Sequence, residues 1–505
     1  MNKIVVVMLF LFLLEMVLGY TGTTLLIAQV PIRTILLYGT FFSLYVFVLL
    51  YMIVNKIPIF SCKRKTIFSY FTFLDYSVLV FLLVMLFSCL ITPVIKNGSL
   101  SFSIEEVLGI LIRLTFYFPL RFMIQWKCIS LKNFSKFLYY VLFVLSLSSI
   151  ILFVLQSHNS NFLNEYFQVL HELSAHTSIS PDIILGHNFV RIYFATSIFI
   201  LLGVYLFFNK FPKINCFDII VFVLHIMALI ATFLRSMWIG CIIGFLFVFV
   251  AIVCILIKQK DLQKLLKVAV IGGVVGITII ISDAYVFDGL VIERWDTLFI
   301  KSEQSEEHIE HNQDDKSSGQ DIAIIEEKIG NVEIVEEEIV EEKTANVEMA
   351  EEKIGDVSTT ENESRDDQGV LESNNVRIEQ MQKLFEKWKQ SPLIGHGFGS
   401  YVEDCIRSEV SPYSYEMQFH ALLMKTGILG IASLIFLIGA MIYVAIKSWK
   451  QVPYKVIAWF YLLISLGIST QTNPILLSTT GITIVTVLLI VAYDFECTCE
   501  GNEVR

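Results

Sequence analysis

The stretch MWIGCIIGFLFVFVAIVCILI, residues 237–257, carries no charged side chain and ends against Lys258 and Lys260. A helix rises about 1.5 Å per residue, so a run of this length reaches across a hydrocarbon core of about 30 Å. The run therefore reads as a membrane-spanning helix. Moving outward in both directions, the same reading repeats. Spans are predicted at 4–20, 33–54, 74–95, 104–126, 136–156, 187–208, 216–234, 237–257, 267–286, 423–446, 456–472 and 474–493. The fold class is therefore an all-α integral membrane protein of about 12 transmembrane helices with one long outer loop. A signal peptide competes for the first span, which contains Glu15; no small-residue cleavage site follows it, and it reads as a retained anchor.

Composition agrees. Hydrophobic residues make up 55% of the 505 positions and charged ones 17%, against roughly a quarter in soluble domains. A soluble enzyme, a disordered scaffold and a collagen-like fibre are excluded. The net charge of -10 is local in origin: residues 301–375 hold 24 acids against 6 bases, leaving 23 acids and 31 bases elsewhere. Those bases alternate from loop to loop. Lys63, Arg64 and Lys65; Arg121, Lys127 and Lys132; Lys210 and Lys213; Lys258, Lys260, Lys264 and Lys267; and Lys447, Lys450 and Lys455 occupy every second connection. Positive charge near span ends is retained inside, which places these loops and both termini in the cytoplasm and residues 287–422 outside. The localisation read from this pattern is a multi-pass membrane protein with both termini cytoplasmic and the long loop outside.

The expected domains are a bundle of nine spans over 1–286, the extracytoplasmic loop 287–422, three last spans over 423–493 and a cytoplasmic tail 494–505. Within the loop, 301–375 repeats imperfectly as EEKIGNVEIVEE, EEKTANVEMAEE and EEKIGDV, and is nearly free of aromatic residues. Such a segment buries too little apolar surface to offset its conformational entropy, so it reads as a disordered acidic insert. After it, Ile378, Met381, Leu384, Phe385 and Trp388 recur at helical spacing and predict an amphipathic helix over 376–390. Ser391-Pro392 stops it, and Gly395-His396-Gly397-Phe398-Gly399 reads as a flexible turn; no strand precedes it to make a nucleotide-binding loop. The nine cysteines lie mostly within or beside spans and form no secreted disulfide framework.

Three words in a fixed order carry a resemblance. They are FLRSMW at 233–238, SPLIGHGFGSY at 391–401 and YEMQFH at 415–420 leading into LLMKTGILG, with Arg377 opening the helix before the second. Their arrangement resembles the bacterial O-antigen ligase and O-antigen polymerase superfamily, most strongly over residues 187–446 without the insert. The resemblance implies a glycosyltransferase that takes glycan from a polyprenyl diphosphate carrier outside the cytoplasmic membrane, with inversion and with no cofactor or metal. Its implied partners are the carrier-linked oligosaccharide, membrane lipids and a chain-length regulator or flippase; nucleic acid is not among them. One departure bears on the reaction. Counting back from Gly427, the slot of the ligase histidine holds Glu416, and His420 follows four residues later, one turn away if the segment is helical. This favours a polymerase over a ligase.

A departing diphosphate needs fixed cations, and arginine binds phosphate oxygens bidentately at any working pH. Arg235 sits between two spans where positive charge is sparse, Arg191 matches an arginine early in the corresponding family helix, and Arg377 matches the family's loop arginine. These three are the expected diphosphate ligands, each with an alternative role at the membrane interface or a helix end. Glu416, assisted or replaced by His420, is the expected catalytic base for the acceptor hydroxyl. Arg113 lies mid-span and needs a polar partner, Glu15 or Glu105; otherwise it lines the substrate path. Tyr413, Tyr415 and Asn473 are further candidates for cavity lining, the tyrosines stacking on sugar rings. His171 and His176 stand five apart, which spoils a zinc-protease pair. His308 and His311, inside the insert, are assigned no ligand. A flippase of lipid-linked sugars is the rival from another class, but the spans show no internal duplication of the kind transporters carry.

Overall fold

The computed structural model describes residues 2–18, 26–27, 30–57, 71–158 except 97, 180–191 except 185–186, 194–292 except 288 and 290, 376–406, 411–471 and 476–503. The acidic insert, His171, His176, His308, His311 and Asn473 lie outside the described residues. The chain divides into two units, Met1–Val291 with Asn375–Arg505, and Ile292–Asn374. Everything that follows concerns the first.

Its helices, in chain order, are α1 (Asn2–Leu18), α2 (Ile32–Val54), α3 (Phe73–Ile95), α4 (Leu100–Thr115), α5 (Tyr117–Gln125), α6 (Leu131–His158), α7 (Phe194–Asn209), α8 (Cys216–Ile230), α9 (Arg235–Gln259), α10 (Leu262–Tyr285), α11 (376–389), α12 (Gln418–Lys447), α13 (Pro453–Ser469) and α14 (Thr479–Glu503). Among the described residues, eight candidate segments are long and apolar enough to cross a membrane, with α4 and α5 forming one of them. The shorter apolar helices α1, α7, α8 and α13 fill the other four positions that the sequence predicts. Two short antiparallel hairpins, β1 (Leu26–Ile27) with β2 (Val30–Pro31) and β3 (Ser180–Ile184) with β4 (His187–Arg191), and a 3-10 turn at Glu403–Cys405 complete the regular structure among the described residues.

Three boundaries differ from the expected ones for local reasons. The span placed at 187–208 starts only at Phe194, because His187–Arg191 pairs as β4. The span at 104–126 is interrupted at Phe116, where α4 gives way to α5. The tail expected from 494 continues α14 as far as Glu503.

Small residues set the closest packing. α9 lies along α13, where Gly240 and Gly244 face Ser465, Ser469 and Tyr461 so tightly that a Cβ on either glycine would overlap them. Close approach of backbones is how helices associate where lipid removes the hydrophobic drive. Trp459 of α13 is fully buried and donates its indole N–H to the Leu488 carbonyl of α14 at 3.1 Å.

Buried charges are paired in ways the sequence hid. Arg121, read as a cytoplasmic loop charge, is fully buried and bridges Asp75 at 2.9 Å. Asp75 also closes the capping box of α3 with Thr72 and accepts from the Tyr117 hydroxyl at 2.7 Å. The expected partnership of Arg113 with Glu15 or Glu105 does not form. Glu15 pairs with Arg33 at 2.8 Å instead, and Arg113 donates to the Gly109 carbonyl of its own helix at 2.9 Å. A helix offers its own i-4 carbonyl to an arginine that lacks a carboxylate, which is the arrangement Arg113 adopts.

Candidate active site

The site is built around the junction of α11 with α12. Along α11, Gln380 and Leu384 share the buried face, Trp388 is half-buried, and Ile378 and Phe385 stay exposed. The apolar stripe read from the sequence is therefore rotated, and its buried polar member, Gln380, is what docks the helix. The Gln380 side-chain carbonyl accepts from the backbone N–H groups of Glu416 and Met417 at 3.0 and 3.1 Å. Leu384 packs with Tyr415, Ala421 and Met424. These contacts fix Arg377, one turn before Gln380, against Glu416: the guanidinium Nε donates to the carboxylate at 2.6 Å.

α12 begins at Gln418, so Glu416 stands in the turn before it. The expected helical relation of Glu416 to His420 therefore does not hold. His420 is half-buried and makes no hydrogen bond among the described residues. Further along, α12 is broken at Gly427, whose φ of 63° and ψ of -166° leave backbone groups on both sides without helical partners. The glycine word supplies them. The amides of His396 and Gly397 donate to the Met424 and Lys425 carbonyls at 3.0 and 2.8 Å, and the Pro392 and Leu393 carbonyls accept from Ile428 and Leu429 at 2.9 and 3.0 Å. A Cβ on Gly427 would overlap the Leu393 carbonyl, and one on Gly397 would press on Pro93 of α3. The segment read as a flexible turn is instead a clamp joining α3, α4 and α12. His396 belongs to that clamp: its ring Nε2 lies 2.7 Å from the Lys387 carbonyl, and burial holds its pKa below the ordinary histidine value.

Beneath the clamp lies an ion pair that sequence reading missed. Lys425 is buried, bridges Glu106 of α4 and donates to the Tyr413 carbonyl at 2.7 Å; the second Glu106 oxygen accepts from the Gly399 amide at 2.7 Å. Both charges sit inside apolar runs, which is the signal that could have found them. Together with Tyr413, Tyr415 and Gln418 they line a cavity of about 220 Å³. Tyr415 is almost fully buried, and its hydroxyl accepts from the Val402 amide at 2.7 Å. Burial pushes its pKa up to about 12, and raises that of Tyr413 as well. Both tyrosines thus line the cavity, as the sequence suggested.

Arg235 is the first residue of α9, placed by a rigid turn. Phe233 adopts a φ of 50° and is buried against the rings of Phe153, Trp238 and Phe287, while Trp238 donates to the Leu229 carbonyl at 3.0 Å. A bulky residue in the left-handed region costs on the order of 1–3 kcal/mol and persists only where its surroundings fix it. Arg235 is half-buried and forms no hydrogen bond or ion pair among the described residues. It lies within electrostatic reach of Arg377. Two guanidinium groups and one carboxylate thus gather at one end of the bundle, with cation in excess, and His420 stands in the first turn of α12. Arg191 ends β4, where its backbone alone is described, and Arg113 lies apart in an apolar crevice between α1, α4 and α14. Chemically, an excess of fixed arginine beside one carboxylate suits binding of a polyanion next to a proton acceptor.

The family model described as O-antigen ligase matches residues 220–435, a region that runs from α8 through the clamp into α12. No curated protein matches the chain.

Proposed function

We propose, from the premise that residues 220–435 carry an O-antigen ligase family domain, that this membrane protein is a glycosyltransferase acting on a polyprenyl diphosphate-linked glycan. The observation that carries the reading is Arg235, a half-buried cation without a partner among the described residues, held within reach of the Arg377–Glu416 pair. The reaction is metal-independent and inverting. An acceptor sugar hydroxyl attacks the anomeric carbon, its proton passes to Glu416, and the carbon–oxygen bond to the carrier breaks with its electron pair leaving on the diphosphate. Arg235 and Arg377 stabilise that growing charge, with Arg191 as a third ligand. In the resting arrangement Glu416 is occupied by Arg377; a bound diphosphate competes for Arg377 and frees the carboxylate to act as base. His420, unengaged nearby, shares the proton transfer.

Glu416 in place of the ligase histidine supports polymerisation, the extension of a lipid-linked oligosaccharide. The family description supports a second reading, transfer of finished glycan to a terminal acceptor. The alternation of bases along the chain supports a cytoplasmic-membrane location with both termini inside and the loop 287–422 outside. A chain-length regulator or a flippase is the expected protein partner. Cells lacking the gene separate the reactions: single repeat units accumulate on the carrier if it polymerises, and long chains are stranded there if it ligates. In reconstituted protein supplied with lipid-linked donor, Arg235→Ala and Glu416→Gln abolish product while the protein still inserts. Unchanged glycan length in both variants overturns the proposal.

A further inference from the structure

At the far end of α12 from the Arg377–Glu416 pair, beyond Lys447, the bundle opens into a cavity of about 720 Å³ between α6, α7, α13 and α14. Four lysines line it: Lys132 and Lys136 from α6, Lys210 after α7 and Lys455 from α13. Lys210 is bridged to Asp218, which also accepts from the Tyr139 hydroxyl at 2.8 Å. Lys132, Lys136 and Lys455 form no hydrogen bond or ion pair among the described residues, and the facing carboxylate is Asp494. The cavity also receives Asn209, whose side-chain oxygen is shut from solvent without a donor among the described residues. The basin thus offers positive charge to an anion.

A second cavity adjoins it. An apolar slot runs between α1, α4, α5, α6 and α14, lined by Leu9, Phe12, Phe116, Phe134, Val487 and Ile490. Leu131 lines both spaces, and Phe134 and Ile490 of the slot precede Ser135 and Val491 of the basin directly along α6 and α14. The charged residue of the slot, Arg113, turns its guanidinium to the Gly109 carbonyl. At about 40 Å³ the slot is too small for an acyl chain, so the apolar part of a basin ligand lies outside it, in the bilayer.

We infer that this end of the bundle binds an anionic glycerophospholipid, its phosphodiester among Lys132, Lys136 and Lys455, with its acyl chains in the surrounding bilayer. The site is separate from the catalytic reading and does not depend on it. Juxtamembrane lysines of this kind recognise acidic headgroups through charge.

The test uses the full chain purified in a neutral detergent, followed by its thermal midpoint and by native mass spectrometry. Phosphatidylglycerol, phosphatidylcholine and glycerol 3-phosphate are added at matched phosphate. Phosphatidylglycerol raises the midpoint and stays bound in the gas phase, whereas the other two do neither. Replacing three exposed cations together, Lys132→Gln, Lys136→Gln and Lys455→Gln, weakens phosphatidylglycerol binding by at least about tenfold. The pair Lys258→Gln and Lys260→Gln, at the same end but outside the cavity, leaves it unchanged. Equal binding of phosphatidylcholine overturns the headgroup assignment. Equal binding of glycerol 3-phosphate overturns the lipid, and a triple variant that binds like the parent overturns the site.

Discussion

Two ion pairs flank the start of α12, and their surroundings give them opposite work. Lys425 and Glu106 are enclosed, with side chains 4% and 17% exposed, and every charged atom is met by backbone or partner. Arg377 and Glu416 are half-open, at 29% and 22%. Losing one partner of an enclosed pair leaves a charge that water cannot reach, at a cost of about 3–5 kcal/mol. An exposed pair contributes about 0–1 kcal/mol, so stability gives little reason for this one to exist. The lesson is that two similar ion pairs on one stretch of chain differ in use: the buried one is a rivet, and under the proposed function the accessible one is a reagent.

The comparison breaks most easily at the rivet. Lys425→Met is expected to lower the unfolding free energy by about 3–5 kcal/mol, read as a large fall in the thermal midpoint in detergent. Adding Glu106→Gln to that variant recovers part of the loss, since the stranded charge is gone. Next comes the clamp that covers the rivet: Gly427→Ala forces a side chain into a left-handed backbone against the Leu393 carbonyl and costs about 1–3 kcal/mol by the same melt. The half-open pair should respond in reverse. Glu416→Gln changes stability by no more than about 1 kcal/mol, but lowers glycan transfer at least about 100-fold. A Glu416→Gln protein that melts as early as Lys425→Met would erase the distinction.

The smallest effect concerns Tyr415, which ties the two regions together. Its pKa is raised by burial to about 12 against an ordinary value near 10. Below pH 10 the phenol is protonated in folded and unfolded chains alike, so its contribution is fully present. Between pH 10 and about 12 only the unfolded chain releases the proton, and stability falls. Tyr415→Phe removes this part of the alkaline decline and, with the Val402 amide left without its acceptor, costs about 1 kcal/mol at neutral pH.

Apolar length made the helices readable, because a crossing segment announces itself by composition alone. Helix ends were less so: His187–Arg191 is as compatible with a span end as with β4, and only pairing with Ser180–Ile184 decides. Charges inside spans were visible, but their partners were not. Arg121 looked like an inside-loop base, while Asp75, forty-six positions earlier, draws it into the core. Arg113 and Glu15 looked complementary, yet Arg33 stands closer to Glu15 across the α1–α2 contact. At the site, Arg235, Arg377 and Glu416 were legible as residue types suited to a diphosphate and a proton. Their mutual pairing was not, because it depends on how Gln380 rolls α11 onto the turn before α12. The three glycines of the clamp suggested freedom, and the structure uses them for contact.

The break at Gly427 also has a place in time. Backbone groups that lose their helical partners in apolar surroundings cost several kcal/mol each until something else pairs with them. All their partners lie in residues 392–397 and are made before Gly427 as translation proceeds, and α3 and α4, which hold the clamp through Phe398 and Gly399, are made earlier still. The interrupted helix thus emerges into a membrane where its receptor already waits. A rearranged gene that delivers α12 before the clamp would leave those amides and carbonyls exposed for as long as the ribosome takes to supply the missing word.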